Sequence, residues 1–94
     1  MGAQGHTTVD FGAAPGTGAE VRAAVAGQAG ILAASDVEAE IRCEASADHS
    51  ADEHFVENVR FRAGNILAGT GFDIVGECAL GRAYGVFNVT WVWN

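Results

Sequence analysis

Between Val37 and Glu44 apolar and polar positions alternate without a break, with Val37, Ala39, Ile41 and Cys43 on one side and Glu38, Glu40, Arg42 and Glu44 on the other. Successive side chains of a strand point to opposite faces, so this stretch predicts a half-buried strand over 36–44 whose outer face is acidic. The segment Val86 to Asn94 repeats the pattern: Phe87, Val89, Trp91 and Trp93 face one way and Asn88, Thr90 and Asn94 the other, with Val92 breaking the polar series. Phe72, Ile74, Gly76 and Cys78 share a face, and over Phe55 to Arg62 the apolar Val59 and Phe61 stand opposite Arg60 and Arg62. Gly64 and the turn Gly69-Thr70-Gly71 bracket a short Ile66-Leu67 piece, and Gly81 to Gly85 forms another turn. Nearer the start, Thr7 to Phe11 has β-branched and aromatic character, and Gly12 to Gly18, with the only proline, is a turn cluster. From Ala19, Val21, Ala23 and Val25 alternate with Glu20 and Arg22. A helix competes for Ala19 to Ala34 on alanine propensity, but Gly27 and Gly30 interrupt it and no 3.6-residue stripe is present.

These elements predict an all-β fold, a small antiparallel sandwich or barrel of six to seven strands, without the strand-helix alternation of a parallel sheet. With 94 residues there is room for one hydrophobic core. The expected organisation is a flexible N-terminal tail over residues 1–6, Gly-rich and featureless, and one domain over 7–94. Composition then changes the picture. Of the 49 % hydrophobic residues more than a third are alanine, and 13 glycines bury no side chain, so the large apolar groups must carry the core. Most aromatics lie in the second half, which places that core among Val37, Ile41, Phe61, Phe72, Ile74, Phe87, Val89 and Trp91. So short a chain buries a modest fraction of its surface and gains from neighbours, which leans toward a homo-oligomer.

The net charge is −7, with no lysine and five arginines, and a phosphate backbone needs clustered cations that this balance does not offer; nucleic acid is not an expected partner. No apolar run approaches the ~18 residues of a membrane span, and no basic segment followed by an apolar one opens the chain, so neither a membrane nor a standard export signal is expected. Cys43 and Cys78 form no CxxC pair; their core-facing parity favours buried thiols, with a cross-strand disulfide as the alternative.

Candidate chemistry concentrates in Ala45 to His54, a polar segment that reads as a long exposed loop. Asp48, His49, Asp52, Glu53 and His54 supply two imidazoles and three carboxylates. Metal ions take such ligands when they converge, but this spacing fits no zinc-finger, EF-hand or zincin pattern, so no metal or other cofactor is expected and the loop reads as partner-facing. No GxSxG or Cys-His signature supplies a nucleophile, and no catalytic residue is assigned. The Gly-rich stretches lack the Lys-Ser/Thr ending of a phosphate loop. Trp91 and Trp93 offer wide apolar area, which on an alternating terminal strand belongs to the core, with a sugar-stacking or partner-binding platform as the alternative. Glu38, Glu40 and Arg42 on the outer strand face complete the candidate partner-binding set.

The combination Val37-Glu38-Ala39, Asp48-His49 with Asp52-Glu53-His54, Gly69-Thr70-Gly71-Phe72 and the ending Val89 to Asn94 resembles small structural proteins of tailed bacteriophages. The resemblance implies a non-enzymatic virion protein assembled in the bacterial host cytoplasm, either a capsid decoration (cement) protein or a tail component, with the major capsid protein or other virion proteins as partners. Asn58 to Trp93, with Thr70-Gly71-Phe72 and the closing aromatic strand, resembles the second half of H-type lectin domains, six-stranded sandwiches that assemble as trimers. That resemblance implies a tail-associated carbohydrate- or receptor-binding module; no sugar-binding residue is carried over.

Overall fold

A computed structural model describes residues 2–13, 16, 20–56, 59–78 and 82–94, with the backbone alone at 55 and 56. Among these residues six strands and one short helix follow in order: β1 (Ala3–Asp10), β2 (Val21–Val25), β3 (Val37–Ile41), α1 (Ala51–Val56), β4 (Val59–Leu67), β5 (Gly71–Cys78) and β6 (Val86–Trp93). They form two three-stranded antiparallel sheets, β1-β6-β3 and β2-β5-β4. The expected all-β sandwich is thus observed. Parts of the expected strand from Ala19, of the Gly12 to Gly18 and Gly81 to Gly85 turns, and of the Phe55 to Arg62 strand (residues 57 and 58) lie outside the described residues.

The core lies between the two inner faces. From β1 and its exit come Val9 and Phe11, from β6 Phe87, Val89, Trp91 and Trp93, and from the facing sheet Val25, Phe72 and Ile74, all buried. Burial of this apolar area from water is the main force joining the sheets. Phe72 meets Trp91 edge to face at 5.6 Å across the interface, the geometry favoured by ring quadrupoles. Of the expected core, Phe72, Ile74, Phe87, Val89 and Trp91 are buried, while Val37, Ile41 and Phe61 are partly buried against it. Trp91 and Trp93 are both interior, and the Trp93 indole N–H donates to the Gln28 side-chain oxygen at 2.8 Å, so its polar handle is satisfied.

Four boundaries differ from expectation. β1 begins at Ala3, pairing Ala3 with Trp93 and Gly5 with Trp91, so most of the span read as tail belongs to the sheet. Gly5 is needed there, because a Cβ on it would lie 2.6 Å from the Trp91 ring. β3 ends at Ile41, which leaves Cys43 beyond the strand; no disulfide joins Cys43 to Cys78, and both have intermediate exposure. The Ile66-Leu67 piece is the end of β4, carried past Gly64 by a bulge. Phe55 belongs to α1, not to a strand. Among the described residues no helix is long and apolar enough to cross a membrane.

Candidate functional site

The segment read as a bare exposed loop is a clasp over the start of β6. Its first half is a turn closed by Ser46, whose N–H donates to the His49 carbonyl at 2.8 Å and whose hydroxyl accepts the His49 N–H at 3.2 Å and donates to the Val86 carbonyl at 2.5 Å. Asp48 accepts the Val86 N–H at 2.8 Å. A side chain at Gly85, which has a φ of 76°, would collide with Asp48, so the turn and β6 fit only with glycine there. The second half is α1, started by a reciprocal cap: the Ser50 hydroxyl accepts the Glu53 N–H at 3.2 Å and the Glu53 carboxylate accepts the Ser50 N–H at 3.0 Å.

This framework turns both imidazoles inward. His49 and His54 are 4 % and 2 % exposed, which corrects the expectation that they line an open surface. His49 stacks on Phe87 with centroids 4.2 Å apart, and its ring nitrogens contact the Glu53 carboxylate at 3.0 Å and the Tyr84 carbonyl at 2.6 Å. The carboxylate and the carbonyl are both acceptors, so each ring nitrogen faces a group that a ring N–H can satisfy. His54 donates from Nδ1 to the Ser50 carbonyl at 2.8 Å and accepts the Asn88 N–H on Nε2 at 3.1 Å. Its ring takes up the β6 backbone just beyond the point where Arg42 N–H donates to the Asn88 carbonyl. Asp48, His49, Glu53 and His54 thus hold the fold together, and Asp52 points to solvent. Among the described residues every buried side-chain polar atom has a partner, and no three His, Cys, Asp or Glu side chains converge on a metal-sized point.

The His49 ring, and after it the Ser50 N–H, hold the Glu53 carboxyl below its ordinary range. A carboxyl depressed in the folded state contributes stability that is complete above its unfolded value and is lost as pH falls through the folded one. Glu53→Gln is therefore expected to be less stable than wild type near neutrality and to approach it in the acid range. Urea midpoints of the two proteins across that range measure this; a constant difference would show that Glu53 acts without its charge.

The remaining expected site residues lie apart from the clasp, on the outer face of β1-β6-β3. Glu38 pairs across with Val92 and Glu40 with Thr90, and both acids are exposed. Arg42 is held between Glu44 at 2.8 Å and the His6 ring at 2.5 Å, beside a hollow lined by Gln4, Gly5, His6 and Thr90. The Glu44 carboxyl is pulled below its usual range, first by that hydrogen bond and then by the guanidinium charge. A second hollow, of about 410 Å³, opens at one end of the sandwich, lined by Asp10, Gly12, Ala13, Asp48, Tyr84 and Gly85. Tyr84 is 41 % exposed there. Sequence reasoning missed Asp10 and Tyr84 as neighbours, because it is the backbone pairing of Phe11 and Gly12 with Gly85 that brings them together. Comparison with protein-family models, with curated proteins and with solved structures returns no match to this chain.

Proposed function

We propose that this protein is a non-enzymatic virion structural protein of a tailed phage, a capsid decoration protein that bridges neighbouring capsid subunits as part of a homo-oligomer. The observation that carries the bridging half is the outer face of β1-β6-β3, where Glu38 lies across from an exposed Val92 and Glu40 across from Thr90, neither acid with an ion-pair partner among the described residues. A surface of that chemistry fits a partner that presents arginine or lysine around an apolar centre. The use of Asp48, His49, Glu53 and His54 as fold-holding groups supports the non-enzymatic half. Contacts that are weak singly and repeated symmetrically would convert binding free energy into resistance of the shell to internal pressure. Counting copies in purified particles tests the reading: many copies on the head are expected, a few at the tail would make it a tail component, and none would end it.

A second reading, a tail-borne carbohydrate- or receptor-binding module, is favoured by the Tyr84 hollow. An exposed aromatic ring beside two carboxylates, Asp10 and Asp48, has the stacking surface and hydroxyl acceptors that sugar rings use. On this reading a glycan array shows a defined preference that Tyr84→Ala removes, whereas a pure cement protein shows none.

A further inference from the structure

The outer face of the β2-β5-β4 sheet carries a feature that neither reading uses. Arg22 pairs across with Val75 and Val75 with Arg62, and in the next row Ala24, Asp73 and Gly64 stand side by side. Strand β4 is regular as far as Gly64 and then slips register in a bulge before Leu67. Within the bulge Asn65 has a φ of 53°, alone among the described non-glycine residues in the left-handed region. Asparagine tolerates that conformation better than most residues, and bulges re-aim side chains beside functional sites. Here the result is an amide that donates to the Asp73 carboxylate at 2.7 Å. A Cβ at Gly64 would meet nothing within 4 Å, so the space in front of the bulge is open. Arg22, Arg62, Gly64, Asn65, Asp73 and Val75, with Glu20, line a hollow of about 290 Å³, just below the roughly 300–1,000 Å³ range of small-molecule sites.

The chemistry of the rim selects its occupant. Two guanidiniums and an amide donate, two carboxylates accept, and the lining has no net charge although the chain carries −7. An anion would have to compete with the carboxylates already on the guanidiniums, Glu20 at 3.3 Å and Asp73 at 3.7 Å on Arg22 and Glu77 at 3.2 Å on Arg62, and a cation would have to compete with the guanidiniums for those carboxylates. A hydroxyl both donates and accepts, so a pair of neighbouring hydroxyls fits between these groups without displacing either, while Val75 offers an apolar floor to ring C–H groups. The geometry points to a binding site for one neutral sugar unit in this hollow, held by Asn65 and Asp73 with Arg22 and Arg62 at the rim. The site is independent of the assembly reading; it shares its ligand class, but none of its residues, with the Tyr84 hollow.

Amide chemical shifts of the full chain, followed while the methyl glycosides of mannose, galactose, glucose and N-acetylglucosamine are added, test the site. Saturable shifts at Gly64, Asn65, Asp73 and Val75 are expected with at least one of the four. Asn65→Gly suits the left-handed backbone and removes the side chain with its amide, and should weaken that binding about tenfold, the equivalent of one hydrogen-bonding group. Gly64→Leu fills open space and should abolish binding while leaving shifts elsewhere in place. Tyr84→Ala should leave binding unchanged. The site is overturned if none of the four glycosides gives saturable shifts, or if the shifts survive Gly64→Leu. It is also overturned if they vanish with Tyr84→Ala, an outcome that would assign the sugar to the other hollow and leave the second reading standing.

Discussion

Phe87→Ala should cost about 3–5 kcal/mol, the range found when a large buried aromatic side chain is cut to alanine. Phe87 is 0 % exposed, and its ring touches three separate parts of the molecule. Phe11 meets it edge to face at 5.6 Å, His49 stacks on it at 4.2 Å, and His54 lies 5.2 Å away. Truncation therefore opens a cavity beneath the clasp as well as in the core, and the two imidazoles lose the ring they pack against. A small domain has only about 5–15 kcal/mol of net stability, so a loss of this size should lower the thermal midpoint by about 15 °C or more. Calorimetry of the two proteins decides the matter, and a shift of only a few degrees would mean that the clasp repacks over the gap. Phe87→Leu, which retains most of the apolar volume but cannot stack, should fall between the two.

How much of this arrangement is legible in the sequence depends on what occupies the inward positions. Where these are large, as along β6 with Phe87, Val89, Trp91 and Trp93, alternation alone locates strand, face and core. Where they must be small the signal disappears: the inward residues of β1 beside the tryptophans are Ala3 and Gly5, because Trp93 and Trp91 fill the space, and a strand built this way reads as a Gly-rich tail. Val25 ends the alternating series Val21-Ala23-Val25, and Val9 and Phe11 sit in the β-branched stretch from Thr7, whereas Ile31 is a core residue by virtue of a loop placement that no short-range pattern marks. The bulge at Asn65 hides the end of β4 in the same manner, since Gly64 followed by a turn-forming residue imitates a break.

The clasp is a different case, because one of its signals was present. Ser50 followed by Glu53 at the third position is a capping-box pattern, and it marks the start of α1. What the sequence does not display is that polar side chains at 48–54 find acceptors and donors on residues 84–88, more than 30 positions away. A run of Asp, His, Ser and Glu looks solvated until such partners are known, and burial of imidazole is tolerable only when they exist. The candidate site divides accordingly: Glu38, Glu40 and Arg42 could be placed on an outward face by parity alone, whereas His49 and His54 could not be placed inside.

The second large effect is expected at His54, where two substitutions separate its two hydrogen bonds. His54→Ala removes a ring that is 2 % exposed and leaves the Asn88 N–H without its acceptor. An unsatisfied buried donor costs about 1–3 kcal/mol, and the lost packing adds to it, so a total of about 2–4 kcal/mol is expected. His54→Asn places an amide nitrogen where Nδ1 was and keeps the bond to the Ser50 carbonyl, but cannot reach Asn88. His54→Gln extends an oxygen toward the Nε2 position and keeps the acceptor for Asn88. If the ring serves chiefly to continue the β6 ladder past the end of β3, glutamine should preserve more stability than asparagine, and the Asn88 amide should exchange with solvent faster in His54→Asn than in His54→Gln. Hydrogen exchange read at that single amide tests this directly. The opposite order would place the importance of His54 in fastening α1 through Ser50, and the clasp would then be a helix anchor, not a substitute for the missing strand.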